Sequence, residues 1–319
     1  PEDGDAFKVL LGDFVTTEDG TGIVHLAPSF GADDNRVCKQ NGIGSLTLVN
    51  KQGKFVDEVT DFAGMYVKDE FYTDSDEKPK LSVDVQIVIK LKGENLCFKS
   101  EKYEHSYPHC WRTDHPLLYY AMDSWFVKMT AVREQIIEYN AEVEWAPEWT
   151  GSKRMGEWLS NIKDWAISRE RYWGTPIPVW ICQECQHEHC IGSIDEMMSM
   201  KTDDSPKPPE LHRPYVDDVK LNCNNEGCSG EMIREPYVMD CWFDSGCASF
   251  AQWHYPFENK EKFEGVFPVD YICEAVDQTR GWFYSLLAVS TTVFDNVAYK
   301  RCLSLGHILD KDGKKMSKS

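Results

Sequence analysis

The chain has 319 residues, a length that suits one large domain or two ordinary ones. Hydrophobic residues make up 42% and charged residues 27%, values typical of a globular protein, which excludes a disordered or collagen-like chain. With 34 basic and 53 acidic residues the formal charge is −19, which argues against indiscriminate binding to nucleic-acid phosphate or anionic membrane but leaves room for a local basic groove.

The first hundred residues are predicted to be mainly strand and turn. Residues 21–28 form a short apolar run entered through glycines, which favours a strand. The acidic stretch 68–78, closed by Pro79, is typical of a solvated loop. Residues 81–92 alternate apolar and polar side chains with a period of two, which predicts a half-buried strand.

The pattern changes near residue 124, where apolar residues begin to recur three or four positions apart. This spacing predicts a helix through Phe126, Met129, Val132 and Ile136. The Pro-rich, polar stretch 201–214 is predicted to be a loop. A buried strand, a helix and a second strand follow at 265–273, 278–294 and 302–309. The order strand–helix–strand with short connections favours a βαβ unit in a parallel sheet.

Only one stretch of the chain gathers cysteines at the spacing of metal ligands. Cys182 and Cys185 are separated by two residues, and Cys223 and Cys228 by four. Two close pairs around a longer excursion suit a closed, tetrahedral zinc site of the structural type. The spare ligands nearby are His187, His189 and Cys190. Free buried thiols are the alternative interpretation.

The cellular setting is predicted from the same cysteines and from hydropathy. No apolar run approaches the length of a membrane span, and no secretory signal is recognised. Reduced thiols and a cytoplasmic protein that does not bind membranes are therefore expected.

The last residues of the sequence, 306–319, combine a glycine turn with four lysines. A mobile loop of this kind can close on a polyphosphate, because its ammonium groups meet the charge that develops on the transferring phosphate. On composition alone, a solvated basic tail would be the better interpretation. The literal string KMSKS at 315–319, however, resembles the signature loop of class I aminoacyl-tRNA synthetases.

Further segments extend this resemblance over nearly the whole chain. Three stand in the order that the family uses: WAISRERYWGTPIPVW (165–180), YVMDCWFDSG (237–246) and EAVDQTRGWF (274–283). The segment GTGIVHLAPSFGADD (20–34) resembles the signature of the family's editing domain. The combination of GTGIVHLAP with DQTRGWF is similar to the isoleucyl-tRNA synthetases within this class.

The resemblance implies an α/β fold. Residues 116–319 would form the second half of a Rossmann-type, parallel-sheet catalytic domain that ends at the KMSKS loop. A small zinc-knuckle insert would lie at about 180–235, and residues 1–115 would be the later, mostly-β part of the editing domain. The HIGH motif and the Thr-rich editing segment, which lie upstream in the family, are not found. The chain is therefore expected to be a middle piece of a longer enzyme, and the full-length enzyme is expected to be monomeric.

Such an enzyme joins L-isoleucine to AMP from ATP–Mg²⁺ and then transfers the acyl group to tRNA(Ile). The resemblance implies that Lys315 and Lys318 neutralise the ATP phosphates in the transition state, with Gly313 as the hinge of their loop. It places adenylate binding at Glu274, Asp277, Gln278 and Lys318, and the walls of the isoleucine pocket at Trp242, Trp282 and Gln278. The alternative is that these carboxylates sit at an ordinary helix start, beside core tryptophans.

Two details of the motifs qualify this assignment. The family usually has glycine after the glutamate of EAVDQTRGWF, whereas this chain has Ala275, so a close backbone approach to the adenylate is open to question. In SRERYWG, Arg169 and Arg171 either stack or pair structurally beside Trp173, or contact the adenylate or the acceptor end of tRNA.

Editing residues are implied by the resemblance in the same way. A hydrophobic pocket gains little from one methylene, so valine must be removed at a second, hydrolytic site. Asp34 would bind the α-ammonium group of the wrong amino acid, with Asp33 as the alternative carboxylate. His25 would contact the terminal ribose or position the water. Thr21 lies in a Gly-Thr-Gly turn that can present backbone amides.

Two other functions remain open from the sequence. A valyl or leucyl enzyme would have the same overall plan, although Trp282 in RGWF and His25 in GTGIVH argue against it. A zinc-knuckle module that binds tRNA without catalysis is the rival from another functional class. The charge of −19 suggests that most tRNA-binding basic surface lies outside this chain.

Overall fold

The computed structural model describes residues 6–18, 21–102, 104–314 and 316. Packing divides the chain into two units, the first ending at Asp123 and the second beginning at Ser124. The assignment of residues 1–115 to an editing part and 116–319 to a catalytic part stays a prediction. In the described part of the chain, no helix is both long enough and apolar enough to cross a membrane.

Helices and strands are numbered in chain order. The α-helices α1 to α9 are Ala32–Gln40, Val83–Gly93, Arg133–Glu142, Gly156–Ser160, Ile194–Met200, Cys241–Gly246, Ala248–Ala251, Lys260–Val266 and Trp282–Phe294. The strands β1 to β11 are Phe126–Val127, Glu144–Ala146, Trp165–Ala166, Ser168–Arg169, Val179–Cys182, Glu188–Cys190, Leu221–Asn222, Glu231–Arg234, Val238–Met239, Ile272–Ala275 and Arg301–Leu305. Single 3-10 or π turns cover Asp69–Phe71, Met129–Val132, Thr150–Met155, Tyr215–Asp218 and Val276–Arg280.

The first unit is not mostly β in its described residues, which corrects the expectation for this region. Its regular elements are α1, α2 and one 3-10 turn, and its pairing is limited to isolated bridges such as Val49 with Phe55. The strand expected at 21–28 is wrong. The Ala27 N–H donates to Oδ2 of Asp34 at 2.9 Å, so a carboxylate of α1, and not a neighbouring strand, satisfies this backbone group.

The strand predicted at 81–92 is also wrong, because this segment is helix α2. Ser82 caps the helix by accepting the N–H of Val85 at 3.5 Å, and Lys90 near its end pairs with Glu94 at 2.7 Å. The alternating pattern therefore spreads apolar side chains around the helix and leaves Ile89 54% exposed. A strand needs a partner for its backbone groups, whereas a helix satisfies them within itself.

The second unit is built on a parallel sheet in the order β10-β11-β2. Ile272 lies opposite Cys302 in the β10–β11 pair, and Cys302 lies opposite Trp145 in the β11–β2 pair. Helix α9 connects β10 to β11, so the predicted βαβ unit is confirmed. The first of its strands starts only at Ile272, because residues 260–266, part of which was expected to be strand, form helix α8.

Helix α9 forms the centre of the main core, buried on nearly every side. Phe283 and Leu287 are fully buried in it, and they belong to one cluster with Met129, Ile136 and Tyr299. The helix predicted from Ser124 begins only at Arg133, after strand β1 and a 3-10 turn. Met129 and Ile136, two of the predicted apolar positions, are nevertheless buried in the core. The spacing of apolar residues therefore predicted which side chains are buried better than it predicted where the helix begins.

A separate antiparallel sheet in the order β6-β5-β8-β7 carries the cysteine pairs. It packs with α5 around its own cluster of buried residues, which includes Trp180, Leu221 and Met232. The Pro-rich stretch 201–214 contains no helix or strand and connects α5 to this sheet, as the sequence predicts. The insert therefore has a small core of its own within the second unit.

Candidate active site and cysteine cluster

The carboxyl ends of β10 and β11 bring two polar segments to one edge of the parallel sheet. Glu274 lies in β10 opposite Ser304 and is exposed, and exposed Asp277 follows in the next turn. His307 follows β11, and its Nδ1 lies 3.8 Å from Oδ1 of Asp277. Ligands of open α/β sheets bind at such an edge. His307 was not among the predicted residues: it falls inside the segment 302–309 that was expected to be strand, whereas β11 ends at Leu305.

The side chain of Gln278 is held by the start of α9. Its Oε1 accepts the backbone N–H of Trp282 at 2.9 Å, and its Nε2 donates to Oδ2 of Asp277 at 3.1 Å. One amide therefore fixes the first turn of the helix and orients a carboxylate at the sheet edge. The amide remains half-buried, so one face of it borders the site.

The two predicted pocket tryptophans are brought together where α6 packs on α9. The indole Nε1 of Trp282 donates to the carbonyl of Ser245 at 3.1 Å, which locks this ring against α6. Gly281 lies between Trp242 and Gln278, and its lack of a side chain lets them approach each other. A Cβ at this position would lie 3.0 Å from the ring of Trp242 and 2.5 Å from Oε1 of Gln278. Trp242 is 41% exposed. The structure thus places Trp242, Gln278 and Trp282 side by side.

Asp240 anchors this cluster, and sequence reasoning missed it. Its Oδ1 accepts the N–H of Trp242 at 3.2 Å and starts α6, while its Oδ2 accepts from Nη2 of Arg169 at 2.6 Å. Arg169 is therefore tied into the framework, whereas Arg171 is exposed. Burial raises the pKa of Asp244, one turn further along α6. An aspartate directly before a helical motif is a capping signal that could have identified Asp240.

The loop after β11 turns tightly before its lysines. The Oδ1 of Asp310 accepts the N–H groups of Asp312 at 2.9 Å and of Lys314 at 2.8 Å. Gly313 has a φ of +75°, a conformation that suits glycine, and its role as a hinge stays a prediction. The predicted phosphate ligands Lys315 and Lys318 lie outside the described residues.

The four predicted zinc ligands converge. The Sγ atoms of Cys182 and Cys228 are 3.7 Å apart, as are those of Cys185 and Cys223, and all four lie within 4.8 Å of one another. Four sulfurs at the zinc–sulfur bond length of about 2.3 Å would form a tetrahedron with edges of about 3.8 Å. The spacing in the structure therefore fits a four-thiolate zinc site.

Backbone N–H groups point at these sulfurs. The N–H of Asn225 lies 3.5 Å from Sγ of Cys223, and that of Gly230 lies 3.4 Å from Sγ of Cys228. The backbone of His187 and the side-chain amide of Asn225 lower the pKa of Cys185 to about 6. Donors of this kind favour thiolates, the form that binds metal.

Of the spare ligands named from the sequence, His189 is engaged by other side chains. Nε2 of His189 lies 3.0 Å from Oε1 of Glu196, and its Nδ1 lies 3.0 Å from Nδ2 of Asn224. Cys190 is exposed, and burial of its sulfur raises its pKa. Among the described residues, the cluster of possible metal ligands consists of the four cysteines and does not include His187, His189 or Cys190.

The predicted editing residues lie in the first unit around the start of α1. The carboxylate of half-buried Asp34 accepts the backbone N–H of Ala27. Ala27 lies two positions after His25, which is exposed. Asp33 points away and accepts from Nη2 of Arg36 at 3.2 Å. The hydroxyl of Thr21 donates to the carbonyl of Ile23 at 3.4 Å. Of the two carboxylates, Asp34 is therefore the one oriented towards the segment that carries His25.

Known proteins similar to this chain give its relationships. Residues 30–319 match the family described as tRNA synthetases class I (I, L, M and V). Isoleucine–tRNA ligase of Clostridium tetani is 53% identical over 319 residues, covering 100% of this chain and 29% of the relative. The corresponding ligase of Cytophaga hutchinsonii is 51% identical, covering 98% of this chain and 30% of the relative.

Solved structures add little to these sequence relationships. Methionyl-tRNA synthetase of Mycobacterium tuberculosis, bound by methionyl-adenylate, is 16% identical and covers 66% of this chain and 31% of its own. Its TM-score of 0.39 is too low to support an argument. The chain spans about 29% of the length of the curated relatives that it matches.

Proposed function

Because the chain belongs to the class I tRNA synthetases of the isoleucine, leucine, methionine and valine group, we propose that it forms part of an isoleucine–tRNA ligase. The observation that carries this proposal is identity at about half of all positions, along essentially the whole chain, with relatives of that name. The proposed reaction activates L-isoleucine with ATP–Mg²⁺ to isoleucyl-AMP and then transfers the acyl group to tRNA(Ile).

Amino-acid activation is assigned to the edge of the parallel sheet. Glu274 and Asp277 are exposed there, so they are free to accept from the ribose hydroxyls and the ammonium group of the adenylate. Asp277 is already oriented by Gln278 and lies near His307. Lys315 and Lys318, which follow the Asp310 turn in the sequence, would then meet the charge of the ATP phosphates.

Recognition of isoleucine is assigned to the cluster of Trp242, Gln278 and Trp282. The hydrogen bond from the indole N–H of Trp282 to Ser245 holds the ring in one orientation, and the bond from its backbone N–H to Gln278 fixes the start of the helix, so the ring would present a rigid apolar wall. Rigid walls favour a fitted side chain, yet one missing methylene changes binding by only about 1–3 kcal/mol, the limit long known for isoleucine and valine. Valine would therefore also be activated, and editing would be needed.

Hydrolytic editing is assigned to the first unit, with Asp34 and His25 as its residues in this chain. Asp34 is half-buried, which would strengthen its pairing with the α-ammonium group of valine. Exposed His25 is accessible to a ribose or a water. Asp33 and Thr21 are alternatives that the geometry favours less, since Asp33 pairs with Arg36.

A structural zinc ion is assigned to Cys182, Cys185, Cys223 and Cys228. The sulfur spacing and the N–H donors around these thiols support this assignment. When bound, the zinc would cross-link the end of β5 and the following turn, which carry Cys182 and Cys185, to the loop between β7 and β8, which carries Cys223 and Cys228. The cysteines would fill all four positions, leaving none open for catalysis.

The activity is tested by amino-acid-dependent exchange of pyrophosphate into ATP, using the complete protein that contains this chain. We expect exchange to be fastest with isoleucine and measurable with valine. Lys318→Ala should slow it by about 10²–10³-fold, because a charge aimed at the transition state is lost. Lys300→Ala, which removes a surface partner of Asp270, is the matched control and should leave the rate unchanged.

Failure of the exchange assay would be equally informative. No exchange with any amino acid, from a folded and complete protein, would contradict the ligase proposal and favour a tRNA-binding module without catalysis. Exchange fastest with valine or leucine would keep the reaction and change the substrate.

Zinc is tested by elemental analysis of the purified chain. We expect about one zinc per chain, and loss of most of it in Cys185→Ser and Cys223→Ser, because three thiolates bind less tightly than four. Cys190→Ser is the matched control, since this exposed cysteine lies outside the cluster. Equal zinc loss in the control, or no zinc uptake by the unsubstituted chain, would contradict the assignment.

A further inference from the structure

The second unit contains a cavity that the proposed reaction does not use. Its volume is about 340 Å³. It lies between the cysteine-bearing sheet and the residues that directly precede α6 and follow α7. Trp180 and Met197 line it from the side of the sheet and α5. Met239, His254 and Phe257 line it from the other side.

Polar groups in the cavity wall are already satisfied by the protein. The indole N–H of Trp180 donates to a backbone carbonyl at 2.7 Å. Arg234 is buried and pairs with Asp217, and its Nη1 also donates to the carbonyls of Ile177 and Tyr237. Among the described residues, no side chain lining the cavity has a buried polar atom without a partner. A charged ligand would therefore lose its hydration there and would find the buried guanidinium of Arg234 already paired with Asp217.

The entrance of the cavity is apolar as well. Ile194, Leu211 and Phe257 line it and are 54%, 45% and 61% exposed. A dry, apolar cavity of about 150 Å³ is known to hold one benzene ring, and small-molecule pockets begin at about 300 Å³. We propose that this cavity binds a small, uncharged, apolar molecule with one or two rings. The proposal stands independently of the ligase assignment.

The test uses 4-fluorotoluene as the probe and the purified full chain, followed by ¹⁹F NMR titration. We expect saturable binding with a Kd of about 1 mM or tighter, a range that ligands of this size reach. 4-Fluorobenzoate has nearly the same shape but carries a charge, and it should bind at least about tenfold more weakly.

Three variants locate the binding, one of them as the control. Ile194→Trp adds a ring at the entrance and should weaken binding of 4-fluorotoluene at least about tenfold. Val293→Trp places the same ring on an exposed position of α9, outside the cavity lining, and should leave Kd unchanged. Leu211→Trp repeats the first test from a loop, and thermal melting checks that all three variants fold.

Three results would overturn the proposal. The first is no binding up to the solubility limit, as expected if another segment of the polypeptide fills the cavity. The second is equal binding by Ile194→Trp, Leu211→Trp and the unsubstituted chain. The third is equal affinity for the charged probe.

Discussion

Gly281 is the residue on which the proposed isoleucine pocket depends most closely. The Oε1 of Gln278 accepts the N–H of Trp282, so it cannot retreat from a new side chain without breaking that bond. The ring of Trp242 blocks the other direction. Only a residue without a Cβ lets these three side chains converge.

Gly281→Ala should therefore damage the pocket more than the fold. Overpacking costs about 1–3 kcal/mol in the free energy of unfolding, and displacement of Gln278 and Trp242 should raise KM for isoleucine at least about tenfold. Isoleucine-dependent exchange and urea unfolding measure the two effects. Gly265→Ala in α8 is the control, because a Cβ there meets nothing within 4 Å, and it should leave KM unchanged. Equal KM values for both variants would count against the pocket.

The site could be predicted from sequence as far as its motifs reached. YVMDCWFDSG and EAVDQTRGWF supplied Trp242, Gln278 and Trp282, and the structure brings these three together. The anchoring role of Asp240 was missed, because its partner Arg169 lies 71 positions away in another motif. A pairing of this kind depends on the sheet that aligns the motifs, and single-sequence patterns do not contain it.

At the scale of elements, helix α5 shows how one carboxylate joins a helix to a sheet. The hydroxyl of Ser193 accepts the N–H of Glu196 at 3.1 Å. Glu196 reaches back to the N–H of Gly192 at 2.7 Å and to His189 of β6 at 3.0 Å. This arrangement is a variant of the capping box, which the sequence pattern Ser-x-x-Glu signals.

The stability of this element should depend on acid pH through Glu196. The Gly192 N–H, and then His189, hold the pKa of Glu196 below its ordinary value of 4.5. A lowered folded-state pKa means that the carboxylate stabilises the fold above pH 4.5 and that this contribution is lost as the pH falls through the folded value. Urea unfolding between pH 6 and about pH 3 should show a smaller decline for Glu196→Gln than for the unsubstituted chain.

The matched control is Glu264→Gln in α8, which breaks the i,i+4 surface pair of this carboxylate with Lys260. It should keep the pH profile of the unsubstituted chain, because exposed pairs contribute little. A profile of Glu196→Gln that coincides with this control would contradict the assigned role.

Helix α2 shows why an alternating pattern alone was insufficient. The period of two at 81–92 is compatible with a strand only when a neighbouring strand pairs with its backbone and another layer of the protein covers its apolar face. Ser82 and the Lys90–Glu94 pair supplied helical signals in the same segment. By contrast, β10, α9 and β11 were predicted correctly in type, because Ile272, most of α9 and Cys302 are buried together in one apolar core.

On the scale of the whole molecule, the second unit has two hydrophobic clusters of its own. One surrounds α9, and the other lies inside the cysteine-bearing insert. A unit of about 200 residues with such cores meets the size at which domains fold alone.

Residues 124–319 expressed by themselves should therefore fold. We expect a cooperative thermal transition by circular dichroism, with a midpoint within about 5 °C of the same transition in the longer chain, because the core residues are unchanged. Met155→Ala in the shorter chain should lower its stability by about 2–5 kcal/mol, since this side chain is fully buried. A broad, non-cooperative melt of residues 124–319 would show that the unit needs the rest of the polypeptide.

The strand order β10-β11-β2 also has a consequence for how the protein is made. The central strand β11 pairs with β2, and the contact between Glu144 and Arg301 spans 157 positions. At a synthesis rate of about 5–20 residues per second, β2 leaves the ribosome roughly 8 to 30 s before its partner. The cysteine-bearing sheet, whose partners are closer in sequence, can assemble during that interval. The nascent chain thus carries a finished insert beside an incomplete parallel sheet, and during this stage the unpaired edge of β2 is most exposed to aggregation and to chaperones.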